Sequence, residues 1–97
     1  MHMRVVWSSE SVKRVLSIRD YLLEEWSVKE VNAFLKRLHN FEKRVLKYPK
    51  LYPVSEKFPA LRKAVISKHQ SVIYEYEGDR KIIMIHTILD HRQQNLI

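Results

Sequence analysis

The first half of the chain carries two apolar stripes with helical spacing. The first stripe consists of Val12, Val15, Leu16, Leu22, Leu23 and Trp26. Residues three and four positions apart share one side of a helix, and a serine of the Ser8-Ser9 pair before the stripe can accept a hydrogen bond from a free amide at a helix start. The pattern predicts a helix over about residues 9–25, preceded by a short strand at residues 5–7.

A capping pattern introduces the second stripe. Ser27 is followed three residues later by Glu30, the spacing at which each side chain can bond the other residue's backbone amide. The apolar positions that follow are Val31, Phe34, Leu35, Leu38, Phe41, Val45 and Leu46. Pro49 and Pro53 cannot continue a helix, so this helix should end near Tyr48. The short link predicts that the two helices pack antiparallel as a hairpin.

Residues 49–60 contain all three prolines of the chain. We expect an ordered connecting loop there, with Leu51, Tyr52 and Phe58 holding it against the core. A proline fixes its own backbone and restricts the residue before it, so such a loop is stiffer than a flexible linker.

The pattern changes to short β-branched and aromatic runs in the last third. These runs cover residues 62–66, 71–76 and 82–89, and Gly78 and Asp79 mark the turn between the last two. The final run is apolar on both faces, which favours a central position in the sheet. The predicted fold class is therefore α+β: one domain over residues 1–97, with an N-terminal strand, an antiparallel helical hairpin and a three-stranded antiparallel meander forming a small sheet.

Composition and charge narrow the classes of function. Eighteen Lys and Arg against eleven Asp and Glu give a net charge of +7, which favours a polyanionic partner, either nucleic acid or an acidic protein segment. The chain has no cysteine and one glycine, so disulfides, thiolate metal sites and a glycine-rich phosphate loop are excluded. No apolar run approaches the ~20 residues that cross a bilayer. We expect a cytoplasmic protein without membrane contact.

The five histidines do not form a metal-binding pattern. They lie at positions 2, 39, 69, 86 and 91, and no two are four residues apart. We therefore expect neither a metal nor another cofactor, and we interpret His86 as a hydrogen-bonded residue of a strand. No serine lies in a glycine-flanked nucleophile turn.

A cationic group is the more coherent candidate for chemistry. Arg62 and Lys63 lie in the first strand of the meander, Lys68 and His69 follow it, and Arg92 follows the last strand. Cleaving RNA without a metal requires a base, an acid and cations that stabilise the phosphorane, and these side chains can supply all three. Solvated Lys and Arg at strand ends are also common, so the composition permits such a site without establishing it.

The whole chain resembles the RelE/ParE superfamily of bacterial toxin-antitoxin toxins. The resemblance rests on the β-α-α-β-β-β order, the KLYP loop, the hairpin SVIYEYEGDRKIIMIHTIL and the closing LDHRQQN. RelE-like members are ribosome-dependent mRNA endonucleases, whereas ParE-like members inhibit DNA gyrase. The DHRQ ending is closer to the ParE-like branch.

The nuclease pattern is incomplete when it is carried over by position. Arg62 and Arg92 match two of its basic positions, but Ser71 stands in place of an arginine and Ala64 in place of a lysine. No tyrosine follows Arg92 to act as a C-terminal acid or base. Losing one cation that stabilises a transition state costs about 10²–10³ in rate.

The resemblance implies a ParE-like type II toxin that inhibits DNA gyrase and assembles with a cognate antitoxin. We expect that antitoxin to be acidic, partly disordered and wrapped around the helical hairpin. One alternative is a metal-independent endoribonuclease acting at the ribosome, with Arg62, His69, His91 and Arg92 as its catalytic residues. A second is a non-toxic homologue that only binds an antitoxin. Whether the protein is an enzyme is left open, and the first hypothesis favours a non-enzyme.

Overall fold

The computed structural model describes residues 2–96, with side chains described for residues 2–93. The α+β order predicted from the sequence is confirmed. The elements are β1 (Arg4–Trp7), α1 (Ser9–Glu25), α2 (Val28–Lys47), β2 (Arg62–Val65), β3 (Gln70–Glu77) and β4 (Ile82–Asp90). Short 3₁₀ turns at Gly78–Arg80 and His91–Leu96 follow β3 and β4.

The four strands form one sheet in the order β1-β4-β3-β2. β4 is central, as its apolar residues on both faces predicted. It pairs antiparallel with β3 and parallel with β1, and β3 pairs antiparallel with β2. The two helices pack on one face of this sheet, so the other face is left open apart from the loop before β2.

Side-chain caps fix the start of both helices. The Ser8 hydroxyl accepts a hydrogen bond from the Ser11 amide at 3.0 Å, and the Ser27 hydroxyl accepts one from the Glu30 amide at 3.2 Å. Each bond satisfies an amide that has no partner within the helix. The predicted helix bounds are accordingly confirmed to within about two residues.

The core is built from a narrower stripe of α1 than the sequence suggested. Ile18 and Leu22 are fully buried against the sheet, and the small polar Ser11 lies on the same side. Four residues of the predicted stripe are instead about half exposed: Val12, Leu16, Leu23 and Trp26. The prediction was wrong for these four because a helix packed on a sheet buries one side only, and the apolar stripe of α1 is wider than that side. The α2 prediction was better, since only Leu35 and Leu46 of its stripe are exposed.

The proline-bearing loop is held mainly by its backbone. Ser55 donates its amide to the Leu61 carbonyl at 2.7 Å, and Lys63 donates to the Pro53 carbonyl at 3.0 Å. Tyr52 packs against the core residues Phe41 and Tyr74, as predicted. Leu51 and Phe58 are more than half exposed, so the prediction that they hold the loop to the core was wrong. We call residues 53–61 the flap.

The turn between β3 and β4 lies where Gly78 and Asp79 predicted it. The residue with a positive φ, however, is not Gly78. Lys81 has a positive φ of 57°. Space at Gly78 is tight, because a Cβ there would lie 3.2 Å from the Tyr76 hydroxyl, which would have to shift slightly.

Candidate functional site

Arg62 lies on the helical side of the sheet. It pairs with Tyr74, and residues directly opposite each other in an antiparallel pair share a face. Its guanidinium donates to the Tyr52 carbonyl at 2.8 Å. Arg62 therefore fastens the loop to the sheet, on the side away from the open face.

Arg92 is the centre of a buried polar network. Its Nε and Nη2 donate to the two carboxylate oxygens of Asp90 at 3.1 and 3.0 Å, and its backbone amide donates to Asp90 Oδ1 at 2.9 Å. The side chain of Asp90 is 0% exposed and that of Arg92 is 12% exposed. A bidentate pair of this kind is both strong and geometrically fixed.

Both helices contribute to this network. Glu30 of α2 lies 3.4 Å from Arg92 Nη1, and the Arg92 guanidinium stacks 5.1 Å from the centre of the Trp26 ring at the end of α1. Gln70 donates to Asp90 Oδ2 at 2.9 Å and accepts from Arg37 at 2.9 Å. We call this group the Asp90–Arg92 network.

The network shifts the ionisation of its two central members. Burial raises the pKa of Asp90, but hydrogen bonds from Arg92 and Gln70 and the charge of Arg92 outweigh it, so that the pKa lies below its usual value. The hydrogen bonds to Asp90 raise the pKa of Arg92 despite its burial. The pair is thus held in its charged form.

The structure does not bring the four predicted nuclease residues together. His69 and His91 are adjacent, since the His91 amide donates to the His69 carbonyl at 2.8 Å, and Arg92 follows directly. Arg62 pairs with Tyr74, which lies four residues along β3 from Gln70, the neighbour of His69. At the rise of a strand, this separation is about 13 Å. Both arginines are engaged by acceptors of the protein itself.

The open face of the sheet carries a polar pair, formed by His86 and Glu75. The sequence pattern indicated only His86, as a hydrogen-bonded residue of a strand. His86 Nε2 lies 3.1 Å from Glu75 Oε1. Ile73 pairs with Thr87 and Tyr74 pairs with Ile85, so His86 is the extra residue of a β-bulge. Glu75 and His86 are eleven residues apart, and only the strand register reveals the contact.

A groove runs between this open face and the flap. Its volume is about 800 Å³. Its floor consists of Val65, Ile73, Thr87 and Leu89, with Lys63 at the edge, and the flap adds Phe58 and Leu61 as a wall. We call it the sheet groove. A solvated sheet face is normally polar, so the apolar floor is unusual.

A second groove lies between the two helices near β1. It has a volume of about 300 Å³. Its lining residues are Trp7, Val12, Val15, Leu16, Leu35, Leu38, His39 and Glu42. The exposed part of the α1 stripe thus meets the exposed part of the α2 stripe, and we call this surface the helical groove. The sequence indicated both stripes but not that part of each stays uncovered.

Residues 2–96 contain neither a metal-binding cluster nor a membrane-spanning helix. No three His, Asp or Glu side chains of this part of the chain lie close enough to hold a metal ion. None of the helices described is both long and apolar enough to cross a membrane.

Several solved structures share this fold. A structure of the chromosomal ParDE toxin-antitoxin system from P. aeruginosa aligns with a TM-score of 0.75 and 14% identity over 92% of this chain and 96% of that chain. A YoeB/ParE toxin from Agrobacterium tumefaciens aligns with a TM-score of 0.63 and 12% identity over 92% and 99%. The toxin-antitoxin complex RelBE2 from Mycobacterium tuberculosis aligns with a TM-score of 0.62 and 9% identity over 93% and 99%.

The sequence comparisons show the family. No curated protein sequence matches the chain significantly. The family model described as the ParE toxin of the type II toxin-antitoxin system parDE matches residues 5–95. That match covers nearly the whole sequence, including most of β1, both helices and the network around Asp90 and Arg92, and the chain therefore belongs to the ParE toxin family of type II toxin-antitoxin systems.

Proposed function

We propose that this protein is a cytoplasmic toxin that inhibits DNA gyrase by binding it and is neutralised by a cognate antitoxin. One observation carries the proposal beyond the family: the two arginines of the nuclease pattern, Arg62 and Arg92, are on the helical side and bound by Tyr52, Asp90 and Glu30. Neither guanidinium therefore lies on the open face, where it could stabilise a phosphorane. The exposed grooves are mostly apolar, which suits protein binding.

A supercoiling assay with purified DNA gyrase tests the proposal. We expect micromolar toxin to stop the conversion of relaxed plasmid to supercoiled plasmid. Translating ribosomes, treated in the same way, should yield no new mRNA ends. The opposite pair of results, active gyrase and cleaved mRNA, would reject the proposal.

The helical groove is the surface that best fits the antitoxin. An amphipathic segment that lays apolar side chains into a groove would cover Val12, Leu16 and Leu35. Exposed lysines on the same helices, such as Lys13 and Lys36, would meet an acidic segment with opposite charge. This agrees with the acidic, partly disordered antitoxin expected from the sequence.

The substitution Leu16→Glu tests the antitoxin surface. It places a charge in the helical groove, so we expect antitoxin affinity to fall about tenfold or more, since an anchor residue typically contributes over 1 kcal/mol. Leu23→Glu is a matched control, because Leu23 lies on the same helix, is similarly exposed and does not line the groove. Equal losses in both variants would contradict this assignment.

The Glu75–His86 pair favours a second candidate function. A histidine held by a carboxylate can act as a general base, and Lys63 lines the same groove. A ribosome-dependent endoribonuclease would then use His86 and Lys63 in place of Arg62 and Arg92. His86→Ala decides between the candidates: loss of growth arrest together with loss of mRNA cleavage would support the nuclease, and unchanged growth arrest would exclude it. No growth arrest by the wild type would instead favour the non-toxic homologue.

A further inference from the structure

The end of the open face next to the flap carries apolar side chains that are exposed to water. Val65 is 63% exposed, although it lies in a strand, and Phe58 at the wall of the sheet groove is 59% exposed. The register brings Ile73 opposite Lys63 and Thr87, which places these residues on the same face as Val65. Exposed apolar patches of this kind mark binding surfaces in monomeric proteins.

The flap turns this face into a concave site. Its closing hydrogen bond from Ser55 to Leu61 and the pairing of Val54 with Arg62 extend the edge of the sheet. Phe58 therefore stands beside the floor instead of packing into the core. A groove of about 800 Å³ accommodates several side chains of a partner.

The charges around the groove indicate the chemistry of its occupant. Lys57 and Lys63 are exposed at its edge. Among the residues that line the groove, these two lysines outnumber the carboxylate of Glu56 in the flap. The whole chain carries a charge of +7. A partner segment with apolar side chains next to carboxylates would match both the floor and the lysines.

We infer that the sheet groove docks the protein that this toxin inhibits, through a segment of that protein with apolar side chains flanked by Asp or Glu. The inference rests on the proposed function, because it assumes a protein target. The sheet groove and the helical groove lie on opposite layers of the fold. Target and antitoxin therefore engage different residues directly.

Two substitutions in the groove test the inference. Val65→Glu puts a charge on the apolar floor, and Lys63→Glu reverses the charge at the edge. We expect each to raise the toxin concentration for half-inhibition of purified gyrase about tenfold or more, the usual effect of losing an interface anchor. Both should also weaken growth arrest in cells.

Val28→Glu is the matched control. Val28 is 61% exposed, a fraction similar to that of Val65. It is the first residue of α2, where a carboxylate is favourable. We expect its gyrase inhibition to stay within about twofold of wild type, well below the effect of a lost anchor. None of the three residues lines the helical groove, so antitoxin affinity should stay within about twofold of wild type. Thermal unfolding close to that of the wild type would show that all three variants fold.

The outcomes separate this inference from the proposed function. Folded Val65→Glu and Lys63→Glu proteins with wild-type inhibition and wild-type growth arrest would overturn the inference alone. A wild type that leaves gyrase active, while Val65→Glu loses growth arrest, would overturn the gyrase proposal and support docking of another protein. Loss of antitoxin binding with toxicity retained would make the groove an antitoxin surface, and loss of ribosome-dependent mRNA cleavage would make it an RNA site. Either result overturns the inference.

Discussion

At the scale of single residues, Arg92 shows how position in a motif and role in a structure can differ. It aligns with a basic position of the nuclease pattern, yet its guanidinium is bound to Asp90 and Glu30 and stacked on Trp26. The sequence could not reveal this, because Glu30 and Trp26 lie more than sixty positions earlier. Loss of toxicity on changing Arg92 is therefore no evidence of catalysis unless stability is measured too.

Arg92→Ala should destabilise the protein substantially. Removing one partner of a buried ion pair leaves Asp90 charged and without its main donor, which costs about 3–5 kcal/mol. Urea unfolding measures the loss. Arg19→Ala is a suitable control, since Arg19 pairs with Asp20 on the exposed surface and should contribute less than about 1 kcal/mol. A change below 1 kcal/mol for Arg92→Ala would contradict the structural role.

The same network predicts a dependence on acid pH. The pKa of Asp90 is lowered in the folded protein, so its contribution is fully present above its ordinary value near pH 4 and is lost as the pH falls through the folded pKa. The difference in unfolding free energy between wild type and Asp90→Asn should therefore be constant from pH 7 to 5 and shrink below about pH 4. A difference in unfolding free energy that grows as the pH falls would contradict the predicted direction.

At the scale of elements, local signals located the helices, strands and turns, while packing decided which faces are covered. Capping residues and prolines act on the neighbouring backbone, so Ser8, Ser27 and Pro49 marked helix ends correctly. The burial of α1 depends on the sheet against which it packs, and the apolar pattern alone could not exclude Leu16 or Trp26 from the core.

The β3–β4 connection gives a prediction at this scale. Lys81 has a φ of 57°, a region that costs a residue with a Cβ about 1–2 kcal/mol. Lys81→Gly removes that cost but loses entropy, so we expect a net stabilisation of roughly 0.5–1 kcal/mol. Lys81→Ala keeps the Cβ and should be nearly neutral. Thermal unfolding of both variants checks the difference, and equal effects would exclude backbone strain as the cause.

At the scale of the whole molecule, the fold presents apolar grooves on both of its layers and a strongly basic surface. The helical groove uses the uncovered part of the α1 and α2 stripes, and the sheet groove uses the open face beside the flap. A toxin with this arrangement can meet an antitoxin and a target with separate residues. Neutralisation would then require the bound antitoxin to obstruct the target by its size or to reach around the edge of the sheet.

The basic surface predicts a salt dependence of antitoxin binding. With a charge of +7, affinity for an acidic antitoxin should fall about tenfold between 0.05 and 0.5 M NaCl, because the Debye length shortens from roughly 14 to 4 Å. A calorimetric titration at several salt concentrations measures it. Leu16→Ala should weaken binding by the same factor at every salt concentration, since it removes an apolar contact. Affinity independent of salt would rule out the electrostatic contribution.

The sequence by itself determined the order of elements, the central position of β4, the toxin superfamily and the gaps in the nuclease pattern at Ala64 and Ser71. These depend on local backbone preferences and residue identity. The tertiary structure alone decided that Arg62 and Arg92 face the helices, that Glu75 contacts His86, and that Val65 lies on the floor of the sheet groove. Those facts depend on strand register and on which side of each element is covered, and neither is encoded at any one position.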